Sequence, residues 1–123
     1  MEEQRNTVRL DVNVGVSFRV DAQEMVQKAL ASRALNAEGI QLLVPRWIPP
    51  REQVELDLYL PNQQTPLKVS GEVARTEHLG DVYEGYYRVG IRFLGLAESA
   101  RQVIDELIRA ESAKLKPLPS EAS

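Results

Sequence analysis

The chain has 123 residues, with 15 Lys and Arg against 18 Asp and Glu, a net charge of -3, one His and no Cys. A chain of this length forms one small domain whose core can fold without metal or disulfide support. The absence of cysteine excludes disulfides, thiol nucleophiles and zinc-thiolate sites, and one histidine cannot build a multi-histidine metal centre.

The charge balance and hydropathy also restrict location and partners. A slightly acidic chain lacks the basic footprint that non-specific DNA or RNA binding requires. No apolar run approaches the ~20 residues that cross a bilayer, and the acidic N-terminus does not resemble a secretory signal. We therefore expect a cytoplasmic protein that binds neither DNA nor RNA and does not insert into a membrane.

The first half of the chain predicts extended structure. Apolar residues occupy the even positions of 8–20, which is the period of a strand with one buried face. A turn at 21–24 leads to residues 25–35, which contain helix formers but no firm helical stripe, so their own pattern is ambiguous. A short strand at 40–44 follows, and the proline-rich segment 45–50 ends it.

The second half predicts three further strands and a helix. Alternating apolar and polar residues indicate strands at 54–60, 67–73 and 87–93, the last two joined as a hairpin. The period then becomes that of an amphipathic helix at about 97–113, and residues 114–123 are expected to form a flexible tail. Five or six antiparallel strands and one helix predict a small β-barrel whose helix covers an open end.

Two short segments carry groups suited to an anionic ligand. Arg5 and Arg9 stand just before the first strand, and each guanidinium matches phosphate oxygens or the O6 and N7 atoms of guanine. Between two predicted strands, Asn36 offers amide donors and an acceptor, and Gly39 permits a positive φ or a close approach. Taken singly, the two arginines are more typical of solvated side chains near a chain end, and the segment from Asn36 to Gly39 is more typical of an ordinary turn.

No catalytic set is present. Glu55 and Asp57 share the solvent face of one predicted strand, where alternating exposed charges are usual. His78 is expected to be solvated at a hairpin tip, and Trp47 either forms a contact surface or folds back on the core. Without a nucleophile, base and metal in combination, we predict no enzyme activity, no catalytic residue, no metal and no cofactor.

In their order along the chain, three elements resemble the PilZ domain family, bacterial modules that bind the second messenger cyclic di-GMP. They are the R-x-x-x-R element of Arg5 and Arg9, the turn segment 33–40, and the run 87–96 that enters the helix. The resemblance extends over about residues 5–108. It implies an all-β fold, a six-stranded antiparallel β-barrel with a C-terminal amphipathic α-helix.

The resemblance also implies domain bounds. It places a single domain at 1–113, with an arginine arm at 5–9, a barrel at about 8–94 and the helix at about 97–113. Residues 25–35 would then form the second strand, against their local helix propensity.

The resemblance further implies which residues bind the ligand. In the family, the arginine pair contacts phosphates and guanine edges, and a second element, D/N-x-S-x-x-G, hydrogen-bonds a guanine. Arg5 and Arg9 match the pair, Gly39 matches the final glycine, Asn36 stands at the serine position and Ala34 at the Asp/Asn position. The expected contacts are therefore Arg5, Arg9, Asn36 and Gly39.

Ala34 departs from the family pattern in a way that affects affinity. Losing a hydrogen bond to a charged group costs ~1.5–3 kcal/mol, which is roughly 10- to 150-fold in affinity. The Asn36 amide would recover part of this loss if it pointed at the guanine. Arg75 could stack on a purine or be an ordinary exposed residue, and Arg33, Ala34 and Arg75 are additional candidate contacts.

Two functions are consistent with these residues. The first is a cyclic di-GMP receptor whose arm orders on the nucleotide and which signals, as a monomer or homodimer, to a protein effector in motility, biofilm or exopolysaccharide control. The alternative is a nucleotide-independent PilZ-type adaptor that acts through protein contacts, for example in type IV pilus or motility function. Ala34 favours the adaptor, whereas the intact pair of Arg5 and Arg9 favours the receptor.

Overall fold

The computed structural model describes residues 14–20, 25–61, 63–80 and 84–114. Their secondary structure consists of seven strands and one helix: β1 Gly15–Arg19, β2 Gln27–Lys28, β3 Ala31–Asn36, β4 Gly39–Val44, β5 Gln53–Tyr59, β6 Leu67–His78, β7 Tyr87–Leu94 and α1 Glu98–Lys114. The predicted arm at 5–9, the first residues of the predicted strand 8–20 and the predicted tail beyond Lys114 lie outside the described residues.

All seven strands belong to one antiparallel sheet, in the order β2-β1-β5-β6-β7-β4-β3. The mainly β fold with a C-terminal helix is therefore confirmed, and residues 67–78 and 87–94 form the predicted hairpin. The strand count of six is wrong. The predicted second strand, 25–35, is extended rather than helical, but it is divided into β2 and β3.

The division occurs at Ala29 and Leu30, where the chain crosses from one end of the sheet to the other. The Ala29 N–H donates to the Val16 carbonyl of β1 at 2.9 Å, and the Leu30 N–H donates to the Leu43 carbonyl of β4 at 2.8 Å. Because consecutive residues bond to opposite ends of the strand order, the sheet must be strongly curled. A single segment cannot pair along its whole length with two different strands, so two short strands form.

Ser32 strengthens the same crossing from within. Its buried hydroxyl accepts a hydrogen bond from the Val14 N–H at 2.9 Å and donates one to the Val14 carbonyl at 2.6 Å. The N–H and the carbonyl of Val14, which directly precedes β1, are thus both satisfied by the Ser32 side chain of β3. The two ends of the curled sheet are therefore joined here by side-chain hydrogen bonds rather than by a continuous backbone ladder.

The core fills the concave side of the curled sheet. Every second residue is buried along β5, along β7 from Val89 to Phe93 and along β6 from Val69 to Val73, as the period-two pattern predicted. On α1, Ala100, Ile104 and Ile108 are buried at intervals of four residues, and the helix contacts β3. The helix predicted from its amphipathic period thus packs its apolar stripe on the core. Within the described ranges, no helix is both long and apolar enough to cross a bilayer.

The loop between β4 and β5 is held by Ile48 rather than by Trp47. Ile48 is 1% exposed, and its carbonyl accepts a hydrogen bond from the Thr76 hydroxyl of β6. Trp47 is 53% exposed. The expectation that Trp47 folds back on the core is therefore wrong.

The same loop contains a strained backbone position. Arg51 has φ 78°, and the Glu52 N–H donates to the Pro49 carbonyl at 3.2 Å, as in a type II turn with a left-handed third residue. We expect Arg51→Gly to raise the free energy of unfolding by about 0.5 to 1 kcal/mol, because relief of left-handed strain exceeds the added unfolded-state entropy. Urea denaturation measures this change. Arg51→Ala, which keeps the Cβ, should give no increase; an equal gain there would contradict the strain argument.

Candidate functional site

Asn36 organises the turn between β3 and β4. Its Oδ1 accepts hydrogen bonds from the Glu38 N–H at 2.7 Å and from the Gly39 N–H at 3.1 Å, and the residue is 8% exposed. Asparagine commonly stabilises turns in this way. Because the acceptor oxygen is engaged with the backbone, the part of the Asn36 amide left for a ligand is its Nδ2 donor.

Gly39 is required by the close approach of β4 to β7. A Cβ added to Gly39 would lie 2.1 Å from the carbonyl oxygen of Ile91, and Gly39 does not have a positive φ. The Phe93 N–H also donates to the Glu38 carbonyl at 2.9 Å, which fastens the turn to β7. Of the two uses considered for this glycine, the structure requires close approach, and the approaching group is β7 itself.

Ala34 lies at an irregularity of β3. The register of β3 with β4 shifts between Arg33 and Asn36, and Ala34 has φ 59°. The left-handed region is unfavourable for alanine but is visited more readily by asparagine and aspartate. The position that the family pattern gives to Asp or Asn therefore has a backbone conformation that suits those residues better than the alanine present.

The turn, β6 and β7 together line an open cleft of about 440 Å³. The candidates Ala34, Asn36, Gly39 and Arg75 all lie on its wall, so the tertiary structure brings four of the sequence candidates together. Arg33 lines a smaller adjoining hollow of about 170 Å³, and both hollows share Gln41. Arg5 and Arg9 lie outside the described residues.

The floor of the cleft is formed by Gly90 of β7. A Cβ added there would find the nearest heavy atom, Arg75 Cγ, at 3.9 Å, which is ordinary van der Waals contact. The space above Gly90 is therefore open because this residue has no side chain. Sequence reasoning missed Gly90, since only the pairing of β6 with β7 shows that it lies beside Arg75.

Two rows of directly paired residues cross the outer face of the sheet and carry matched charges. In one, Arg92 of β7 forms an ion pair with Glu72 of β6. In the other, Arg88 of β7 pairs with Glu77 of β6 at 3.1 Å. These four side chains compensate one another, so they add little net charge to the cleft between them.

The middle row is different. It runs from Arg33 through Gln41 and Gly90 to Arg75, and the strand register pairs each residue with the next. Both arginines are exposed, and neither forms an ion pair with any residue of the described ranges. Two uncompensated guanidinium groups on either side of an open floor suit an anionic ligand, phosphates in particular.

The remaining sequence candidates have structural roles. Asp57 forms an ion pair with Lys68 at 3.1 Å, and Glu55 accepts a hydrogen bond from the Ser70 hydroxyl at 2.8 Å. His78 packs on the Tyr87 ring, with the two ring centroids 5.1 Å apart. No group of three potential metal ligands occurs in the described part of the chain.

The sequence matches the model of one protein family. The PilZ domain model matches residues 3–110, which is most of the chain. No functionally curated protein shows a significant match to the sequence.

The solved structures with similar folds include the following two. The inhibitor of motility MotI/DgrA from Bacillus subtilis superimposes with a TM-score of 0.76 at 14% identity, over 94% of this chain and 55% of that one. The PilZ domain of YcgR from Escherichia coli, solved with c-di-GMP, superimposes with a TM-score of 0.66 at 10% identity, over 98% of this chain and 100% of that one. The chain thus spans about half the length of MotI/DgrA, and at these identities the likeness concerns the fold.

Proposed function

The chain belongs to the PilZ domain family, and we propose that it is a receptor that binds cyclic di-GMP in the cleft between the β3–β4 turn, β6 and β7. The observation that carries the proposal is that the tertiary structure gathers the candidate residues at one cleft. Ala34, Asn36, Gly39 and Arg75 are spread over about 40 residues of sequence, yet all line one cleft. A turn, an open glycine floor, an uncompensated arginine on the cleft wall and a second one in the adjoining hollow are what a compact dianion with two purines needs.

Each group has a distinct part in the proposed complex. Arg75 and Arg33 supply charge to the phosphates and planar surfaces on which a guanine can stack. The Asn36 Nδ2 group donates a hydrogen bond, while its Oδ1 keeps the turn in shape. Arg5 and Arg9 would complete the phosphate contacts, on the family pattern alone. PilZ domains are binding modules, and we assign no chemical step to the nucleotide.

The output that we propose is a change in a protein-binding surface. The fold is shared with an inhibitor of motility and with a domain solved with c-di-GMP. We accordingly place the receptor in the control of motility, with biofilm or exopolysaccharide control as related outputs. The ligand would act by stabilising one arrangement of the cleft wall and the arm, and a partner would bind that arrangement preferentially.

A nucleotide-independent adaptor is the second candidate, and one observation favours it. Ala34 has no acceptor, and the acceptor oxygen of Asn36 is engaged by the backbone of its own turn. Neither position of the second family element can therefore accept a hydrogen bond from a guanine N–H in this geometry. An adaptor would keep the curled sheet and helix and would use them only for protein contacts.

Isothermal titration with cyclic di-GMP, with GTP as control, separates the two functions. The receptor requires saturable binding at about 10 µM or tighter and its loss in the Arg5→Ala/Arg9→Ala variant. Arg9→Ala alone should remove binding and leave the melting temperature nearly unchanged, since the family pattern gives this arginine a ligand-binding role rather than a packing role. Absence of binding by the wild type at about 300 µM would reject the receptor and support the adaptor.

Gly90 provides an independent block of the cleft. Gly90→Leu should abolish binding because its side chain would occupy the open floor, whereas Gly90→Ala should retain most of it. Circular dichroism melts of both variants control for folding. Undiminished binding by a folded Gly90→Leu variant would place the ligand elsewhere on the protein.

A further inference from the structure

Gln41 occupies the centre of the middle row on the outer face of the sheet. It pairs directly with Arg33 of β3 on one side and with Gly90 of β7 on the other, and Arg75 follows across Gly90. Gln41 is half-buried and lines both the main cleft and the smaller hollow beside it. Its amide forms no hydrogen bond within the described residues and is not among the buried side-chain atoms left without a partner, so it is open to solvent and to a ligand.

We propose that Gln41 reads the guanine edge of the nucleotide and supplies the acceptor that Ala34 lacks. This inference rests on the proposed function and names the specificity determinant of the same cleft. Arg33, the immediate neighbour of Ala34, is paired directly with Gln41. Ala34 and Gln41 both line the main cleft, and glutamine has a long, flexible side chain. The Gln41 amide can therefore extend toward the space that a longer side chain at position 34 would fill.

The chemistry of the amide fits guanine. Its oxygen accepts hydrogen bonds, so it can take the N1–H or the N2 amino hydrogens of guanine, and its NH₂ group can donate to O6. Adenine has no hydrogen on N1 and no amino group at C2, so the acceptor oxygen distinguishes the two bases. The two charged residues of the middle row, Arg33 and Arg75, lie on either side of Gln41 and attract the phosphates. The uncharged Gln41 amide between them is then available to contact the base.

One other acceptor in the cleft must be distinguished from Gln41. The Glu38 carboxylate lies on the cleft wall at the turn and is exposed. Because this carboxylate is exposed, water competes with the guanine for its oxygens. Glu38→Ala is therefore the matched control for Gln41→Ala: both remove an acceptor from the same cleft, and only the second should reduce guanine preference.

The test compares titrations with cyclic di-GMP and cyclic di-AMP. Gln41→Ala should weaken cyclic di-GMP binding about 3- to 10-fold and leave cyclic di-AMP binding within about twofold, so that the preference for guanine falls. Gln41→Glu, which keeps an acceptor oxygen, should retain the preference even if the added charge weakens both ligands. Glu38→Ala should leave the preference unchanged.

The outcomes separate this inference from the function on which it rests. Suppose that the wild type binds cyclic di-GMP, but that Gln41→Ala lowers the affinity for both nucleotides equally or changes neither affinity. The role of Gln41 is then rejected, while the receptor function stands. If the wild type binds neither nucleotide, both are rejected. Melting temperatures of all variants guard against loss of folding, and Ala34→Asp introduced into Gln41→Ala should restore the guanine preference.

Discussion

Ala34→Asp is expected to tighten cyclic di-GMP binding by about 10- to 150-fold. The added carboxylate stands on the cleft wall and accepts hydrogen bonds from guanine N–H groups, and a hydrogen bond to a charged group contributes ~1.5–3 kcal/mol. The backbone at this position, with φ 59°, is one that aspartate adopts more readily than alanine. Isothermal titration of the variant beside the wild type measures the gain.

The matched control is Ala34→Gly, which relieves the same backbone strain without adding an acceptor. It should raise the free energy of unfolding by up to about 1 kcal/mol and leave affinity within about twofold of the wild type. If Gln41 already supplies an acceptor, the gain from Ala34→Asp should be larger in a Gln41→Ala background than in the wild type. Equal affinity of Ala34→Asp and Ala34→Gly would contradict the proposed contact.

Gly39→Ala is expected to destabilise the protein by about 3 kcal/mol or more. The new Cβ would lie 2.1 Å from the Ile91 carbonyl oxygen, so the β3–β4 turn must move away from β7. Such a backbone clash is costlier than typical overpacking of about 1–3 kcal/mol, because no flexible side chain can yield. Urea denaturation gives the change in the free energy of unfolding. The hydrogen bond from the Phe93 N–H to the Glu38 carbonyl should also be lost, because it fastens the turn to β7.

Gly90→Ala makes the same chemical change on the adjacent strand and should cost less than about 1 kcal/mol, since its Cβ meets nothing closer than 3.9 Å. Similar losses at both positions would show that the cost comes from glycine in a strand generally and not from the approach of β4 to β7. The two variants also distinguish the roles of the two glycines. Gly39 shapes the turn that carries Asn36, whereas Gly90 leaves the room that a ligand would occupy.

Much of the fold could be predicted from the periodicity of the sequence. The alternation of 54–60, 67–73 and 87–93 indicated which residues face the core, because side chains of a strand point alternately to its two faces whatever the strand order. The helical period likewise identified the buried stripe of α1. Residues 25–35 were the exception. Their local propensity favoured helix, but hydrogen bonds to two different strands hold them extended.

The candidate site was predictable only in part. The turn at Asn36 and Gly39 could be found from residue types, yet the direction of the Asn36 oxygen depends on how the turn closes. The free arginines, Gln41 and Gly90 become neighbours only through the pairing of two hairpins, β3–β4 and β6–β7, that are distant from each other in sequence. A shift of one residue in any of these pairings would move them to the other face.

The sequence by itself determined the class of fold, the inward and outward faces of most strands, the helix and the family to which the chain belongs. These depend on local period and residue type, which act over a few neighbouring residues. The tertiary structure alone decided the division of the second predicted strand, the need for glycine at position 39 and the row from Arg33 to Arg75. Those depend on which strands pair and in what register, and pairing is a long-range choice made by burial of the whole sheet at once.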